Sequence, residues 1–164
     1  MQFRQMRRKN QLLSEAECIE ILNRNTSGVM SVIVDNGYPY GVPLSYVYLD
    51  GKIYFHCAVS GHKIDAIKNN DKVSFCVVDQ DKVVPDEYTT YYRSVIIFGK
   101  ARILQNEDEI KYTLTQLAKK YAPDESLSSI NNEMKKCPHL LMLEIKIDHM
   151  TGKAAKELTN KPRR

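Results

Sequence analysis

Apolar and polar residues alternate along several segments of the chain, a pattern typical of half-buried β-strands. Six strands are predicted, over residues 29–34, 40–49, 52–57, 73–77, 91–104 and 139–147. Asp and Gly residues of hairpin turns separate the first three strands, which are therefore expected to form an antiparallel meander. Gly99 interrupts the fifth strand and predicts a bulge or a barrel corner there.

Residues that cap helix N-termini mark the predicted helices. Ser14 followed by Glu17 matches a capping box, and Asn106 precedes a segment with acidic residues in its first turn. Shorter helices are expected after the turn at residues 60–63 and over residues 125–136. Six strands without β-α-β alternation predict a mainly β protein, a six-stranded antiparallel barrel with peripheral helices.

Turn residues and charge predict two further boundaries. Residues 79–90 contain Pro85 and many turn formers, so a loop is expected there. The last strand is expected to end near residue 147, with a basic segment from Met150 onward. The chain shows no internal repeat or linker, so residues 1–164 are predicted to form one domain. Its core is expected over about 6–155, followed by a basic tail at 156–164.

Composition is that of an ordinary globular protein. The chain has 164 residues, of which 43% are hydrophobic and 27% are charged, a length that suits one domain. No apolar run approaches the roughly 20 residues of a membrane-spanning helix. No apolar segment follows the basic N-terminus as it would in a secretory signal. We therefore expect a cytoplasmic protein without a membrane partner.

Positive charge is concentrated at the two ends of the sequence. Residues 1–10 and 151–164 together carry a net charge of +8, which leaves −4 on the rest of the chain. Nucleic-acid-binding proteins usually present their basic residues on a folded face, so a nucleic-acid partner is disfavoured. Solvated tails are the simplest interpretation, with some of this charge available to an anionic ligand.

Cysteine and histidine residues are widely scattered. Cys18, Cys57, Cys76 and Cys137 lack the CxxC spacing of zinc sites, so four free thiols are expected, most of them buried. The four histidines form no HExxH motif. The sequence therefore predicts no metal site.

The turn at residues 60–63 is the main candidate for an anion site. The chain contains neither GxGxxG nor GxxxxGK[ST], so the usual phosphate loops are not expected. A helix N-terminus binds phosphate through its free N–H groups, and Gly61 and Lys63 would add close backbone approach and positive charge. A solvated helix cap with an exposed lysine would have the same sequence. His56, on the preceding strand, is either a packing residue or a proton-transfer group.

Several segments occur in an order that resembles a known family. They are Val42-Pro43-Leu44-Ser45-Tyr46, Ile53-Tyr54-Phe55-His56-Cys57-Ala58, Gly61-His62-Lys63 and Ser94-Val95-Ile96-Ile97-Phe98-Gly99. In this order they resemble the FMN-binding split-barrel proteins of the pyridoxamine-phosphate-oxidase-like superfamily. Met6-Arg7-Arg8-Lys9 through Leu13-Ser14, with Thr151-Gly152-Lys153, is similar to the nitroimidazole-resistance branch of that superfamily. The resemblance covers about residues 6–155.

The resemblance implies a split-barrel homodimer with FMN at its interface, with FAD as the alternative cofactor. The strand at 43–48 would run past the isoalloxazine ring, and residues 56 and 57 would lie beside the ribityl chain and phosphate. His62 and Lys63 would hold the phosphate, Ser94 would face the ring, and Lys153 would approach the cofactor. The implied cofactor-binding residues are Pro43, Leu44, Ser45, His56, Cys57, Ala58, Gly61, His62, Lys63, Ser94, Val95 and Lys153.

Departures from the oxidase pattern narrow the implied function. The oxidases carry an arginine-lysine pair at the phosphate and a tryptophan near the C-terminus, whereas this chain has His62-Lys63 and no tryptophan. Vitamin B6 oxidase activity is therefore not expected. The nitroimidazole-resistance branch implies an FMN-dependent oxidoreductase that reduces a small nitroaromatic acceptor, with His56 as the catalytic residue. The alternative is a non-catalytic protein that binds flavin or haem, with His56, His62 or His149 as axial ligand.

Overall fold

The computed structural model describes residues 2–136 and 139–159. Within them the chain forms seven β-strands and four α-helices. The strands are β1 Ser27–Ile33, β2 Pro39–Ser45, β3 Val47–Leu49, β4 Lys52–Ala58, β5 Lys72–Val84, β6 Thr89–Ile103 and β7 Leu140–Ala154. The helices are α1 Glu15–Arg24, α2 His62–Asn69, α3 Glu107–Tyr121 and α4 Leu127–Lys135. None of the described helices is long and apolar enough to cross a membrane.

The seven strands form one antiparallel sheet that closes on itself. Their order is β2-β1-β5-β6-β7-β4-β3. The two strands at the ends of this order, β2 and β3, are joined by the single residue Tyr46. One continuous chain segment therefore pairs with β1 through its first half and with β4 through its second half. This closure produces the predicted mainly β barrel.

The sheet has seven strands where six were expected, because the predicted strand 40–49 is interrupted at Tyr46. The Tyr46 side chain is fully buried, and its hydroxyl donates a 2.8 Å hydrogen bond to the carbonyl oxygen of Leu22 on α1. Its backbone N–H donates to the hydroxyl of Tyr121 on α3, at 2.9 Å, instead of to a neighbouring strand. Contacts with two helices thus replace strand pairing at this residue.

The predicted loop over 79–90 was wrong for most of its length. Strand β5 continues to Val84 and β6 begins at Thr89, so only a short turn at Pro85–Glu87 separates them. Val83 and its neighbours lie on a hairpin arm with exposed side chains. Such residues lack the alternation of a half-buried strand, and this is why the pattern suggested a loop.

The last strand was predicted too short. Strand β7 continues to Ala154, and residues 150–154 pair with β6 rather than forming a basic tail. The register between β6 and β7 shifts by one residue, because Phe98 pairs with His149 and Gly99 with Ile147. This confirms the predicted irregularity at Gly99. The extra residue, Asp148, reverses the phase of the apolar alternation in β7, which hid the continuation of the strand.

Both predicted helix caps are confirmed. Ser14 and Glu17 form the complete capping box of α1, and the Asn106 side chain accepts a hydrogen bond from the Glu109 N–H at the start of α3. Apolar residues of α1 and α2 join the cluster that fills the barrel interior. Helix α3 instead covers the outer wall formed by β3, β4 and β7 and packs there against a second apolar cluster.

A buried carboxylate ties the strands beneath α3 together. Glu144 on β7 is 3% exposed, and its oxygens accept hydrogen bonds from Lys52, Tyr54 and Arg102 at 2.8–2.9 Å. Burial by itself raises the pKa of Glu144, but these three donors outweigh burial and lower it to about 2. The ionised carboxylate is therefore part of the folded state, which it links across β4, β6 and β7.

Replacing this carboxylate should destabilise the fold. Glu144→Gln leaves Lys52 and Arg102 without their buried partner, so we expect the free energy of unfolding at neutral pH to fall by about 3 kcal/mol in urea denaturation. Glu109→Gln is the matched control, because Glu109 contacts the same arginine at the surface, and it should cost less than about 1 kcal/mol.

The same substitution should change the acid stability of the protein. The pKa of Glu144 is lower in the folded than in the unfolded chain, so its stabilisation is complete above about pH 4.5 and is lost as the pH falls towards 2. The difference between wild type and Glu144→Gln should therefore shrink over that interval. A difference that stays constant with pH would contradict the assigned ionisation.

Candidate functional site

One outer wall of the barrel is not covered by any described helix. It is formed by β2, β1, β5, β6 and the C-terminal half of β7, and cross-strand pairing places its outward side chains in rows. Apolar side chains on this bare wall are between 39% and 61% exposed; they are Val29, Ile33, Val78, Ile96 and Phe98. The candidate ligand-binding residues lie on this wall and at the barrel end beside it.

The first group of candidate residues lines a depression at the end of β4. His56, Cys57 and Ala58 lie there together with Lys63 of α2, and the depression has a volume of about 500 Å³. The predicted neighbourhood of residues 56–58 and Lys63 is thus present. Burial raises the pKa of the Cys57 thiol, and the nearby Lys63 ammonium only partly opposes this. Cys57 therefore remains a protonated thiol at neutral pH.

The N-terminus of α2 opens next to this depression. Gly61 occupies the N-cap position with φ of 130°, a conformation that a side chain would strain, and no side chain caps the helix. The predicted strand-turn-helix corner is therefore present, with the positive end of the helix dipole uncapped. Within the described part of the chain, Lys63 has no carboxylate at ion-pair distance. The corner combines free N–H groups with an unpaired cation.

His62 lies on the other side of this corner. Its Nε2 is 3.5 Å from Asp35 Oδ1 in the β1–β2 turn, and its ring centroid is 5.1 Å from that of Tyr40. The side chain therefore faces the hairpin rather than the depression that Lys63 lines. Only the backbone of His62 contributes to the helix start.

The second group lies on the bare wall, at the far end of β7. Ser94 on β6 pairs with Lys153 on β7, and both line a depression of about 290 Å³ together with Arg4 and Met6. Lys153 lies 5.2 Å from the ring centroid of Tyr92. The structure thus brings Ser94 and Lys153 together on one chain and adds residues from the N-terminal segment.

The Thr151-Gly152-Lys153 element holds the N-terminal segment in place. The Leu13 N–H donates to the carbonyl oxygen of Gly152 at 3.0 Å, and Leu12 forms a bridge with Lys153. A Cβ atom on Gly152 would lie 2.4 Å from the Cys18 sulfur. Only glycine allows α1 to pack this closely against β7, so this residue fixes where the N-terminal segment crosses the wall.

The candidate residues on β2 and Val95 on β6 differ in whether their side chains are exposed or buried. Pro43 and Ser45 are exposed, whereas Leu44 packs against the barrel interior. Val95 is fully buried, so only its backbone is available to a ligand. Strand β2 lies three strand spacings from β6, about 14 Å. Ala58 of the first group pairs with Leu140 at the start of β7, whereas Ser94 pairs with Lys153 near its end, so the first group is also separated from Ser94 and Lys153 on the same chain.

Three basic residues in these depressions, two of them Lys or Arg and one a histidine, were not predicted as site residues. Lys136 and His139 line the first depression, and Arg4 lines the second. Lys136 and His139 flank the start of β7, and their position becomes clear only once β4 and β7 are paired. Arg4 lies in the basic N-terminus, which the charge pattern suggested was a solvated tail. Of the expected free thiols, Cys18, Cys57 and Cys76 are free, and Cys137 lies outside the described residues.

Comparison with known families agrees with this barrel. The family model described as pyridoxamine 5'-phosphate oxidase matches residues 14–154, most of the chain. The chain belongs to this family. No curated protein matches it in a sequence comparison.

Solved structures similar to this member of the pyridoxamine 5'-phosphate oxidase family share its fold. A conserved hypothetical protein of Mycobacterium tuberculosis, Rv2991, is 18% identical with a TM-score of 0.80, covering 98% of this chain and 96% of its own. A candidate 5-nitroimidazole antibiotic resistance protein of Bacteroides thetaiotaomicron is 20% identical with a TM-score of 0.74, covering 87% and 86%. An FAD and heme binding protein of Mycobacterium smegmatis is 16% identical with a TM-score of 0.73, covering 94% and 77%.

Proposed function

We propose that this protein is a homodimeric flavoprotein that reduces a small nitroaromatic acceptor, with FMN as cofactor. The observation that carries the proposal is the division of the candidate site into two parts. An anion-binding corner with Lys63 lies at one end of the barrel, and the wall with Ser94 and Lys153 lies elsewhere on the same chain. Two copies of the chain can bring one part of each onto a single ligand.

The first part fits the phosphate of a flavin nucleotide. A phosphate accepts hydrogen bonds from N–H groups and is stabilised by positive charge, and the uncapped N-terminus of α2 provides both with Lys63. Lys136 and His139 add further donors at the rim of the same depression. A flavin phosphate held here would leave its ring directed towards the exposed residues of β2, Pro43 and Ser45. FAD would use the same corner.

The bare wall fits a second copy of the chain. Its exposed apolar side chains form a continuous surface on adjacent strands, because Val29 pairs beside Cys76, and Cys76 beside Ile96. Contiguous apolar patches of this kind mark interaction surfaces. A twofold contact through this wall would place Ser94 and Lys153 of one protomer against the flavin of the other. It would also exclude water from the ring.

His56 is proposed as the proton donor. A bound flavin, once reduced, supplies the two electrons that convert a nitro group to a nitroso group, a reaction that also consumes two protons and releases water. The His56 side chain is exposed at the depression, and in the proposed dimer it would deliver one of these protons to the acceptor. Imidazole suits this role because its charge changes near neutral pH.

The names of the similar structures support a flavin and a nitro compound. The Bacteroides protein is described as a candidate 5-nitroimidazole resistance protein, and the Mycobacterium smegmatis protein as binding FAD and heme. Haem binding remains the competing proposal for this chain. His56, His62 and His149 lie in three separate places, so an axial ligand would come from only one of them.

Removing the charge of Lys63 should weaken flavin binding. Loss of a charge-assisted contact to the phosphate is expected to raise the Kd for FMN about tenfold or more in Lys63→Gln, measured by quenching of flavin fluorescence. Lys68→Gln, on the last turn of the same helix, is the control and should bind FMN like wild type. Purified protein with a haem Soret band and no releasable flavin would contradict the proposal.

Replacing His56 should slow the chemical step while leaving flavin binding intact. With the bound flavin reduced by dithionite, His56→Ala is expected to transfer electrons to nitrobenzene about 100-fold more slowly, in stopped-flow absorbance. The Kd for FMN should change by no more than about twofold. His62→Ala is the control, because its side chain faces the hairpin rather than the depression. Equal slowing in both variants would argue against His56 as the proton donor.

A charge on the bare wall should separate the protomers. Ile96→Glu places a carboxylate in the centre of the wall, so we expect the dimer to dissociate in light scattering and flavin binding to weaken with it. Tyr112→Glu, at an exposed position on α3, is the control and should remain dimeric. A monomeric wild type that binds flavin fully would contradict the shared site.

A further inference from the structure

The depression beside Ser94 is lined by positively charged side chains and by no carboxylate. Arg4 and Lys153 line it, together with Ser94, Thr151, His149 and the apolar side chains of Met6, Ile96 and Phe98. No carboxylate is among these lining residues. Within the described part of the chain, neither Arg4 nor Lys153 has an acidic residue at ion-pair distance. The depression therefore combines two cations that have no acidic partner with apolar side chains.

Aromatic side chains stack on one another at the edge of this depression. Phe98 and His149 lie side by side on neighbouring strands, with nearly parallel rings. The Phe3 ring stacks over both, 4.6 Å from His149 and 5.8 Å from Phe98, at interplanar angles of 4° and 11°. The N-terminal segment thus places its own aromatic ring against Phe98 and His149, next to the two cations.

We infer that this depression binds a planar aromatic compound carrying a negative charge. The inference rests on the proposed function, because the compound would be the acceptor that meets a flavin held by the partner protomer. Phe98 and His149, which line the depression beside the stack they form with Phe3, would contact its ring, and Arg4 and Lys153 would attract its anionic group. Ser94 and Thr151 line the same depression, and their hydroxyls would donate hydrogen bonds to that group.

Arg4 is the residue that makes the site selective. Lys153 belongs to the wall of the proposed flavin site, whereas Arg4 reaches the depression from the N-terminal segment that crosses the wall. Guanidinium binds carboxylate through two parallel hydrogen bonds. A carboxylate-bearing ring should therefore gain affinity over an uncharged ring of the same shape, and the gain should depend on residue 4.

The test compares two probes of nearly identical shape, 4-nitrobenzoate and 4-nitrobenzamide. Their Kd values are measured by isothermal titration calorimetry on the full-length protein, with and without saturating FMN. We expect wild type to bind the benzoate about tenfold more tightly than the amide. The preference should weaken at 1 M salt, where the Debye length falls to about 3 Å.

Matched variants assign the preference to the site. Arg4→Gln should reduce the preference to about threefold or less, whereas Arg7→Gln, which removes a charge from the same segment outside the depression, should retain it. Phe98→Leu should weaken the binding of both probes by a similar factor. It removes one of the two aromatic rings that line the depression and leaves both cations in place.

Several results would overturn the inference. These are equal affinity of wild type for the two probes, a preference that survives Arg4→Gln, or a loss of equal size in Arg7→Gln. Displacement of FMN by 4-nitrobenzoate would also overturn it, because the depression would then belong to the cofactor. Failure of the protein to bind flavin would refute the proposed function alone. The titration without FMN would still decide whether the depression selects aromatic anions.

Discussion

The closure of the barrel at Tyr46 is the constraint on which the rest of the structure depends. One chain segment pairs with β1 and then, one residue later, with β4, so the two edges of the sheet are held together covalently. The buried side chain of Tyr46 and its hydrogen bonds to α1 and α3 hold this junction between helices on two sides. An error in this position would displace β2 relative to β4, and these strands flank the candidate anion site at the start of α2.

This closure also decides which surface is left for function. Apolar side chains of α1 and α2 pack into the barrel interior, and α3 covers the wall over β3 and β4. The opposite wall is therefore the one that no described helix covers. The Lys63 corner lies at the end of β4, and the Ser94–Lys153 pair lies on that opposite wall. A flat ligand can contact both kinds of residue when they come from different chains. The two parts of the candidate site are thus separated because α3 covers one wall of the barrel and leaves the opposite wall open.

The sequence was sufficient for most local elements, although not for the hairpin arm at 79–90, and it was insufficient where distant segments meet. Alternation and caps predicted the strands and helices, and a single glycine predicted the irregularity at residue 99. The extension of β7 was missed because Asp148 shifts the alternation by one residue. Arg4 and Lys153 are separated by most of the chain, and no local pattern could show that they line one depression.

The placement of the basic termini gives a physical reason for the charge distribution of the chain. The body carries −4, and a cofactor or substrate with negative groups would be repelled by it without local compensation. The bridge between Leu12 and Lys153, with the close packing at Gly152, brings positive charge from both ends onto the bare wall. In the proposed dimer a second protomer would cover that wall, and Arg4 and Lys153 would then attract an anion through a medium of lower dielectric than water. These two charges, one from each end of the chain, are therefore placed where burial by a partner would increase their effect.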